Sequence, residues 1–238
     1  MLCVVANKLF HAYNSSSPAF YKKYRDILGW RTEKKFLELG LENAPKMYSH
    51  NMYDPSITME MIPGVTPDSL CEKWFEVFKK HLNELNEVAD ITGWVSIDDG
   101  PDFYFEESMK RLAHGRTVLE STVEIEKLGK RIRLEYQRIK NTKWNYDNYI
   151  LGSLDYGRHN TLCYNGEYRL IDFEHISYVE LSTFAVNFWF RNRKQFDDSK
   201  LIEELSQYQV NDAWIEQYYK LKLICRLESE INELIRNS

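Results

Sequence analysis

The chain has 238 residues, a formal net charge of −5 and 43% hydrophobic residues. This length allows one large domain or two modest lobes with a packed core. A nucleic-acid binder is usually basic because it must neutralise phosphates, so the acidic balance argues against such a partner.

The sequence shows neither a clear targeting segment nor a cysteine pattern that indicates disulfide bonds. The N-terminal residues lack the long apolar stretch of a signal peptide, and no run approaches the roughly 18 apolar residues of a membrane span. The 4 cysteines are widely spaced and form no C-x-x-C pair, which favours free thiols in a reducing compartment. We therefore expect a cytoplasmic protein with no membrane partner.

The first 65 residues alternate short apolar or aromatic runs with turn-forming polar groups, which is typical of the short strands of an antiparallel sheet. One helix interrupts these strands, from about Trp30 to Leu39, and Gly40 is suited to cap its C-terminus. The strand-like runs cover 2–6, 19–24, 46–48 and 57–62.

A hinge is predicted from Met61 to Pro67. Thr66 suits the N-cap of a following helix and Pro67 its first turn. Apolar residues then recur every three or four positions, the spacing of an amphipathic helix with one buried face. They are Leu70, Cys71, Trp74, Phe75, Phe78, Leu82 and Leu85.

The remainder is predicted to be mainly helical, over 102–113, 117–140, 179–191, 199–208 and 211–236. One hairpin is embedded in it, because Asn165-Gly166 separates two strand-like runs, 161–164 and 168–171. The sequence thus predicts an α+β, bilobal fold. Residues 1–62 form a β-rich N-terminal lobe, and residues 63–238 form a larger helical lobe.

The residues with the clearest chemistry flank this hairpin. Asp155 and Asn160 precede it in an Asp-x4-Asn pattern, and Asp172 follows it in Asp-Phe-Glu. Carboxylates can orient a hydroxyl and accept its proton, and carboxylate and amide oxygens can hold a metal ion; phosphoryl transfer is one reaction that needs both. Asp155 would orient an attacking hydroxyl and accept its proton, while Asn160 and Asp172 offer the oxygen ligands that Mg²⁺ prefers. An ordinary hairpin with Asn and Asp as turn formers is the alternative.

The stretch from Ser153 to Asn160, followed by Ile171-Asp172-Phe173-Glu174, resembles the catalytic loop and metal motif of the aminoglycoside phosphotransferase and choline kinase family. That family's pattern is H-x-D-x4-N followed by I-D-F/W/Y-E. The resemblance implies a protein-kinase-like fold, ATP and Mg²⁺ as cofactors, and transfer of the γ-phosphate to a hydroxyl of a small molecule. The acceptor would be aminoglycoside-, choline- or sugar-like.

One position departs from the family pattern. Ser153 stands where the motif has a histidine that supports the catalytic loop. A catalytically weak or inactive nucleotide-binding regulator is therefore the alternative function.

The resemblance also implies roles in the N-terminal lobe. Lys22 matches the strand lysine that contacts the α and β phosphates, with Lys23 as the alternative because a one-residue shift reverses the face of a strand. Glu33 on the next helix matches the glutamate that holds this lysine, with Glu38 as the alternative. The loop 13–18, which would cover the phosphates, contains no glycine.

The segment from residue 56 to 64 resembles the family's connection from strand to hinge. The resemblance implies that backbone groups of Glu60, Met61 and Ile62 contact adenine.

Overall fold

The computed structural model describes residues 18–88, 94, 96–97, 100–119, 122–141 and 143–237. The chain forms two compact units. Unit 1 lies within Met1–Val95 and Leu151–Ser177, and unit 2 within Ser96–Ile150 and Tyr178–Ser238. This division differs from the predicted lobes, whose boundary stays a prediction. The predicted strand 2–6 and residues 13–17 of the loop lie outside the described residues.

The predictions about membrane spans and cysteines can be compared with the described residues. No helix among them is long and apolar enough to cross a membrane. The cysteines among them, Cys71, Cys163 and Cys225, are free thiols, as predicted.

Unit 1 contains a three-stranded antiparallel sheet. Its strands are β1 (Ala19–Lys23), β2 (Met47–Asn51) and β3 (Ser56–Glu60), in the order β1-β3-β2. These strands confirm the predicted runs at 19–24, 46–48 and 57–62.

Helix α1 (Ile27–Glu38) connects β1 to β2. It begins three residues before the predicted start because the Asp26 carboxylate accepts hydrogen bonds from the N–H groups of Leu28 and Gly29, at 3.1 and 3.0 Å. Gly40 follows the helix with a φ of +67°, the left-handed conformation predicted for it. The buried face of α1 consists of Trp30, Glu33, Phe36 and Leu37.

Helix α2 (Glu72–Val88) starts later than the predicted Thr66. The preceding segment is held by contacts distant in sequence. Val65 forms an antiparallel bridge with Cys163, and Arg158 Nη1 donates to the carbonyls of Pro67 and Asp68 at 3.2 and 3.3 Å. These contacts keep the segment from entering the helix. The buried face of α2 is formed by Trp74, Phe75, Phe78, His81, Leu82 and Leu85.

The predicted hairpin is present in unit 1. Its strands are β6 (Thr161–Tyr164) and β7 (Glu167–Leu170), and the turn residues Asn165 and Gly166 have φ values of +50° and +78°. Two positive φ values are what a tight hairpin turn requires of these residue types. A single turn of 3₁₀-helix (Arg158–Asn160) leads into β6.

The strand β5 (Tyr149–Ser153) precedes that turn and was not predicted. Strand β8 (Ile176–Glu180) was also missed, because residues 179–180 were assigned to the next helix. Within unit 2, β8 pairs in parallel with the short strand β4 (Ser96–Ile97). Helix α5 (Leu181–Asn192) starts after Glu180, whose carboxylate accepts from the N–H groups of Ser182 and Thr183 at 2.9 and 3.0 Å.

The other helices of unit 2 are α3 (Pro101–Val118), α4 (Val123–Lys140), α6 (Asp198–Leu205) and α7 (Ala213–Arg236). Helices α3, α4 and α5 pack against α7. The prediction ended α3 at residue 113. The helix instead continues through Gly115, where a Cβ atom would lie 2.2 Å from Ile125 Cδ1. Gly115 therefore allows α3 to pack closely against α4, and it does not end the helix.

The hinge before α2 generates a test of stability. Gly64 has a φ of +133°, and a Cβ atom there would lie 2.7 Å from the Cys163 carbonyl oxygen. Gly40 also has a positive φ, but nothing lies within 4 Å of its Cβ position. We expect Gly64→Ala to lower the unfolding free energy by about 2 kcal/mol more than Gly40→Ala, because it adds a backbone clash to the conformational cost. Urea denaturation measures both, and equal losses would contradict this.

Candidate active site

A buried lysine lies among carboxylates in unit 1. Lys22 is 6% exposed, and its Nζ atom forms ion pairs with Glu33 and Asp172 and a third with Glu174 Oε2 at 3.2 Å. Lys23 is exposed and lies outside this group. Of the two lysines that the sequence left open, Lys22 is therefore the one that contacts Glu33.

The Glu33 carboxylate is oriented from two directions. Tyr24 donates its hydroxyl hydrogen to Oε2 at 2.6 Å, and the Phe173 N–H donates to Oε1 at 3.4 Å. Tyr24 directly follows β1, two residues after Lys22, and the side chains of both residues contact Glu33 Oε2. Glu33 is 1% exposed on the buried face of α1. Its position is thus set by the sheet and by the segment after the hairpin.

Asp172 reaches Lys22 from an unusual backbone conformation. Its φ is +68°, in the left-handed region that favours glycine. A non-glycine residue held there typically costs about 1–3 kcal/mol, and such residues occur often at functional sites. The conformation places the Asp172 carboxylate on Lys22 and the following Phe173 N–H on Glu33.

The electrostatics keep the lysine charged. Burial by itself would lower the pKa of Lys22, but the charges and hydrogen bonds of Glu33 and Asp172 outweigh it and raise the pKa above its ordinary value. The pKa of Tyr24 is raised by burial and by the charge of Glu33, so this phenol stays protonated and donates.

The predicted catalytic loop is tied together by short-range hydrogen bonds. The Asn160 amide nitrogen donates to Asp155 twice, to the backbone oxygen and to Oδ2, both at 3.1 Å. His159 Nε2 lies 3.0 Å from Asp155 Oδ1. The Asp155 N–H donates to Ser153 Oγ at 3.1 Å, so the serine in the family's histidine position still supports the loop.

The hairpin joins this loop to the segment of Asp172, as predicted. The backbone oxygen of Asn160 accepts from the Ile171 N–H at 3.0 Å. Asn160 and Asp172 are therefore brought to neighbouring positions at the open end of the hairpin. Their joint role as metal ligands stays a prediction.

The predicted adenine segment begins with Glu60, the last residue of β3, and the antiparallel partner strand β1 carries Lys22. The Glu60 N–H donates to the Lys46 oxygen at 2.7 Å, and the Met61 N–H donates to the Pro18 oxygen at 3.1 Å. These two N–H groups already have partners. Adenine contacts from Glu60, Met61 and Ile62 stay a prediction.

The donor atoms of the site fit a divalent cation. Glu33, Asp172 and Glu174 each offer one carboxylate oxygen, and these oxygens lie within 4.8 Å of one another. Such hard oxygen ligands suit Mg²⁺. The Asn160 amide nitrogen makes the bonds to Asp155, so its carbonyl oxygen is the atom suited to a metal. The Lys22 ammonium occupies the same carboxylates and must compete with any cation there.

Three residues of this region were given no role by the sequence. Glu174 belongs to the Asp-Phe-Glu motif, and Tyr24 ends the predicted strand 19–24 two residues after Lys22, so the sequence contained a signal for both. His81 lies on the apolar face of α2, and a histidine in such a position is usually interpreted as a core residue. It is 0% exposed, and its Nε2 lies 3.0 Å from the Tyr156 hydroxyl.

No protein-family model matches the chain, and no curated protein matches it in sequence. Solved structures do match it. A spectinomycin phosphotransferase bound to AMP has a TM-score of 0.59 at 13% identity, over 92% of this chain and 80% of that one. The choline kinase LicA from Streptococcus pneumoniae has a TM-score of 0.56 at 15% identity, over 94% and 80%. A choline/ethanolamine kinase family protein from Mesorhizobium loti has 0.56 at 10%, over 98% and 80%.

These matches establish the fold. The chain has the α+β, protein-kinase-like fold shared by aminoglycoside phosphotransferases and choline kinases. The predicted fold class is confirmed, and so is the resemblance at the level of fold.

The shared carboxylates predict competition between Lys22 and a metal ion. Without nucleotide, we expect Lys22→Met to bind Mn²⁺ at least about tenfold more tightly than the wild type, because removing the ammonium leaves uncompensated carboxylates. Lys23→Met is the matched control, since it removes an exposed lysine one residue away. Titration followed by electron paramagnetic resonance measures free Mn²⁺. Equal affinities in all three proteins would contradict the prediction.

The buried histidine predicts a pH dependence of stability. Burial lowers the pKa of His81 from 6.5 to about 3. Between these values the unfolded chain binds a proton that the folded chain does not, so the unfolding free energy falls as the pH falls. From pH 7 to pH 5 the loss through His81 is about 2 kcal/mol. Chemical denaturation at both pH values should show a loss smaller by that amount in His81→Phe; identical pH dependence would contradict the assignment.

Proposed function

We propose that this chain is an ATP-dependent phosphotransferase that moves the γ-phosphate to a hydroxyl group of a small molecule. The observation that carries the proposal is the buried Lys22, held by Glu33 and in contact with Asp172. A lysine held by a helix glutamate next to a metal-binding aspartate is the arrangement that kinase chemistry requires. Solved proteins of similar fold include a spectinomycin phosphotransferase and a choline kinase, which supports a small acceptor.

In the proposed reaction, Lys22 binds the α and β phosphates while Glu33 keeps its ammonium in place. Backbone groups of Glu60, Met61 and Ile62 bind adenine. The AMP in the spectinomycin phosphotransferase supports an adenine nucleotide as cofactor. Mg²⁺, held by Asp172 and Asn160, would neutralise phosphate charge when bound.

Asp155 is the proposed proton acceptor. As the acceptor's hydroxyl oxygen bonds to the γ-phosphorus, the bond from phosphorus to the ADP oxygen breaks, ADP leaves, and the hydroxyl proton passes to Asp155. The contacts of Asp155 with Asn160 at 3.1 Å and with His159 at 3.0 Å fix the direction of its carboxylate. Such fixed geometry is what general-base catalysis demands.

A nucleotide-binding regulator without efficient transfer is the second candidate function. Two observations favour it. Ser153 replaces the histidine of the motif, and Lys22 is engaged by Asp172 and Glu174 as well as by Glu33. Under this alternative, nucleotide binds but phosphate is not transferred.

Transfer of labelled γ-phosphate separates the two candidates. The wild type would be incubated with ATP, Mg²⁺ and, in separate reactions, choline, spectinomycin and a small-molecule cell extract. We expect label in a small molecule, and a loss of at least about 100-fold in Asp155→Asn, because that variant lacks the base but keeps the shape of the side chain.

Asp54→Asn is the control, since Asp54 is an exposed aspartate paired with Lys23. It should transfer phosphate like the wild type. Equal transfer by wild type and Asp155→Asn would contradict the assigned base. Nucleotide binding without transfer to any acceptor would favour the regulator.

A further inference from the structure

A single imidazole connects the catalytic loop to the segment of Asp172. The ring of His81 stacks on Phe173, with centroids 5.4 Å apart and planes at 29°, and meets Tyr156 edge-on at 5.6 Å and 79°. It also lies 5.5 Å from Phe36, which itself stacks on Phe173 at 4.0 Å.

Each of these neighbours is close in sequence to a proposed site residue. Tyr156 directly follows Asp155, and Phe173 directly follows Asp172. Phe36 lies one helical turn after Glu33 on α1, on the same buried face. His81 therefore touches the chain next to the base, next to the metal ligand and near the partner of the lysine.

The imidazole contributes a directional bond that a hydrocarbon ring would lack. Its Nε2 and the Tyr156 hydroxyl are 3.0 Å apart, while Nδ1 has no hydrogen-bond partner among the described residues. Burying a polar ring with one nitrogen unsatisfied is costly, and phenylalanine would fill similar space without that cost. The benefit that offsets it is the bond to Tyr156.

The rest of the α2 face reaches the same loop. Phe78 meets Tyr156 edge-on at 5.3 Å. Trp74 Nε1 donates to Thr161 Oγ1 at 2.8 Å, and that hydroxyl donates to the Gly157 oxygen at 2.9 Å. Helix α2 thus holds the loop at its start through His81 and at its end through Trp74.

We infer that His81 is a positioning residue that fixes the loop of Asp155 relative to the segment of Asp172 through its hydrogen bond to Tyr156 and its stacking on Phe173. The position of the two segments is a property of the fold. Its catalytic consequence rests on the proposed phosphotransferase function.

The test compares His81→Phe, Tyr156→Phe and the double variant. His81→Phe keeps a ring in the cluster, and Tyr156→Phe removes one oxygen from the other side of the same bond. Hydrogen exchange followed by mass spectrometry should show about tenfold faster exchange in residues 154–160 and 171–174 for each variant, with peptides of 72–80 unchanged. Both single variants break the same hydrogen bond between His81 and Tyr156. The double variant should therefore show the same increase in exchange rate as each single variant.

The kinetic readout separates positioning from simple packing. With any acceptor that the wild type uses, we expect kcat to fall about 10- to 100-fold in either variant, while KM for ATP stays within about threefold. His81→Gln places an amide nitrogen near the Nε2 position and should recover part of kcat. A residue that only fills the core would lower stability without this pattern.

The inference is overturned if exchange in both segments is unchanged in His81→Phe and Tyr156→Phe, or if their effects simply add. Should His81→Phe fail to fold, Tyr156→Phe alone decides the matter, because it keeps the ring. If the wild type transfers no phosphate, the proposed function fails, yet the exchange result still supports or overturns the role of His81.

Discussion

The structure of unit 1 depends on a buried ammonium surrounded by carboxylates. Lys22 comes from β1, Glu33 from α1, and Asp172 and Glu174 from the segment after the hairpin. A buried charge is tolerated only when it is paired, and removing one partner of a buried pair typically costs about 3–5 kcal/mol. The sheet, the helix and the segment after the hairpin must therefore pack so that their charged side chains contact one another. The cap of α1, the turn of the hairpin and the left-handed conformation of Asp172 all help to bring the carboxylates to Lys22.

The partners of Lys22 differ in a way that suits a reaction cycle. Glu33 is 1% exposed and is held by Tyr24, so it can remain a permanent partner. The side chains of Asp172 and Glu174 are 27% and 29% exposed. Under the proposed function, these carboxylates at the solvent side exchange the ammonium for a cation, and Lys22 then binds phosphate while Glu33 still holds it. His81 fixes the segment of Asp172 relative to the loop of Asp155 through its contacts with Phe173 and Tyr156.

Local signals in the sequence predicted the local structure well. Asn165-Gly166 predicted the hairpin because its turn needs two positive φ values. The roles that the surrounding motif predicts for Asp155, Asn160 and Asp172 stay predictions. The errors came from contacts distant in sequence. Arg158 holds the carbonyls before α2 and delays that helix, and Gly115 fits Ile125 where a helix break was predicted. His81 was overlooked because the apolar period of α2 cannot distinguish a core histidine from one bonded to a catalytic loop.

The most direct test is a crystal structure of the wild type grown with Mn²⁺ and a non-hydrolysable ATP analogue, examined by anomalous scattering. The proposed function predicts a Mn²⁺ peak in coordination with Asp172, with Lys22 Nζ bound to the analogue's phosphates and still paired with Glu33. It is contradicted if nucleotide binds elsewhere, or if Lys22 remains on Asp172 with no metal peak there while the nucleotide is bound.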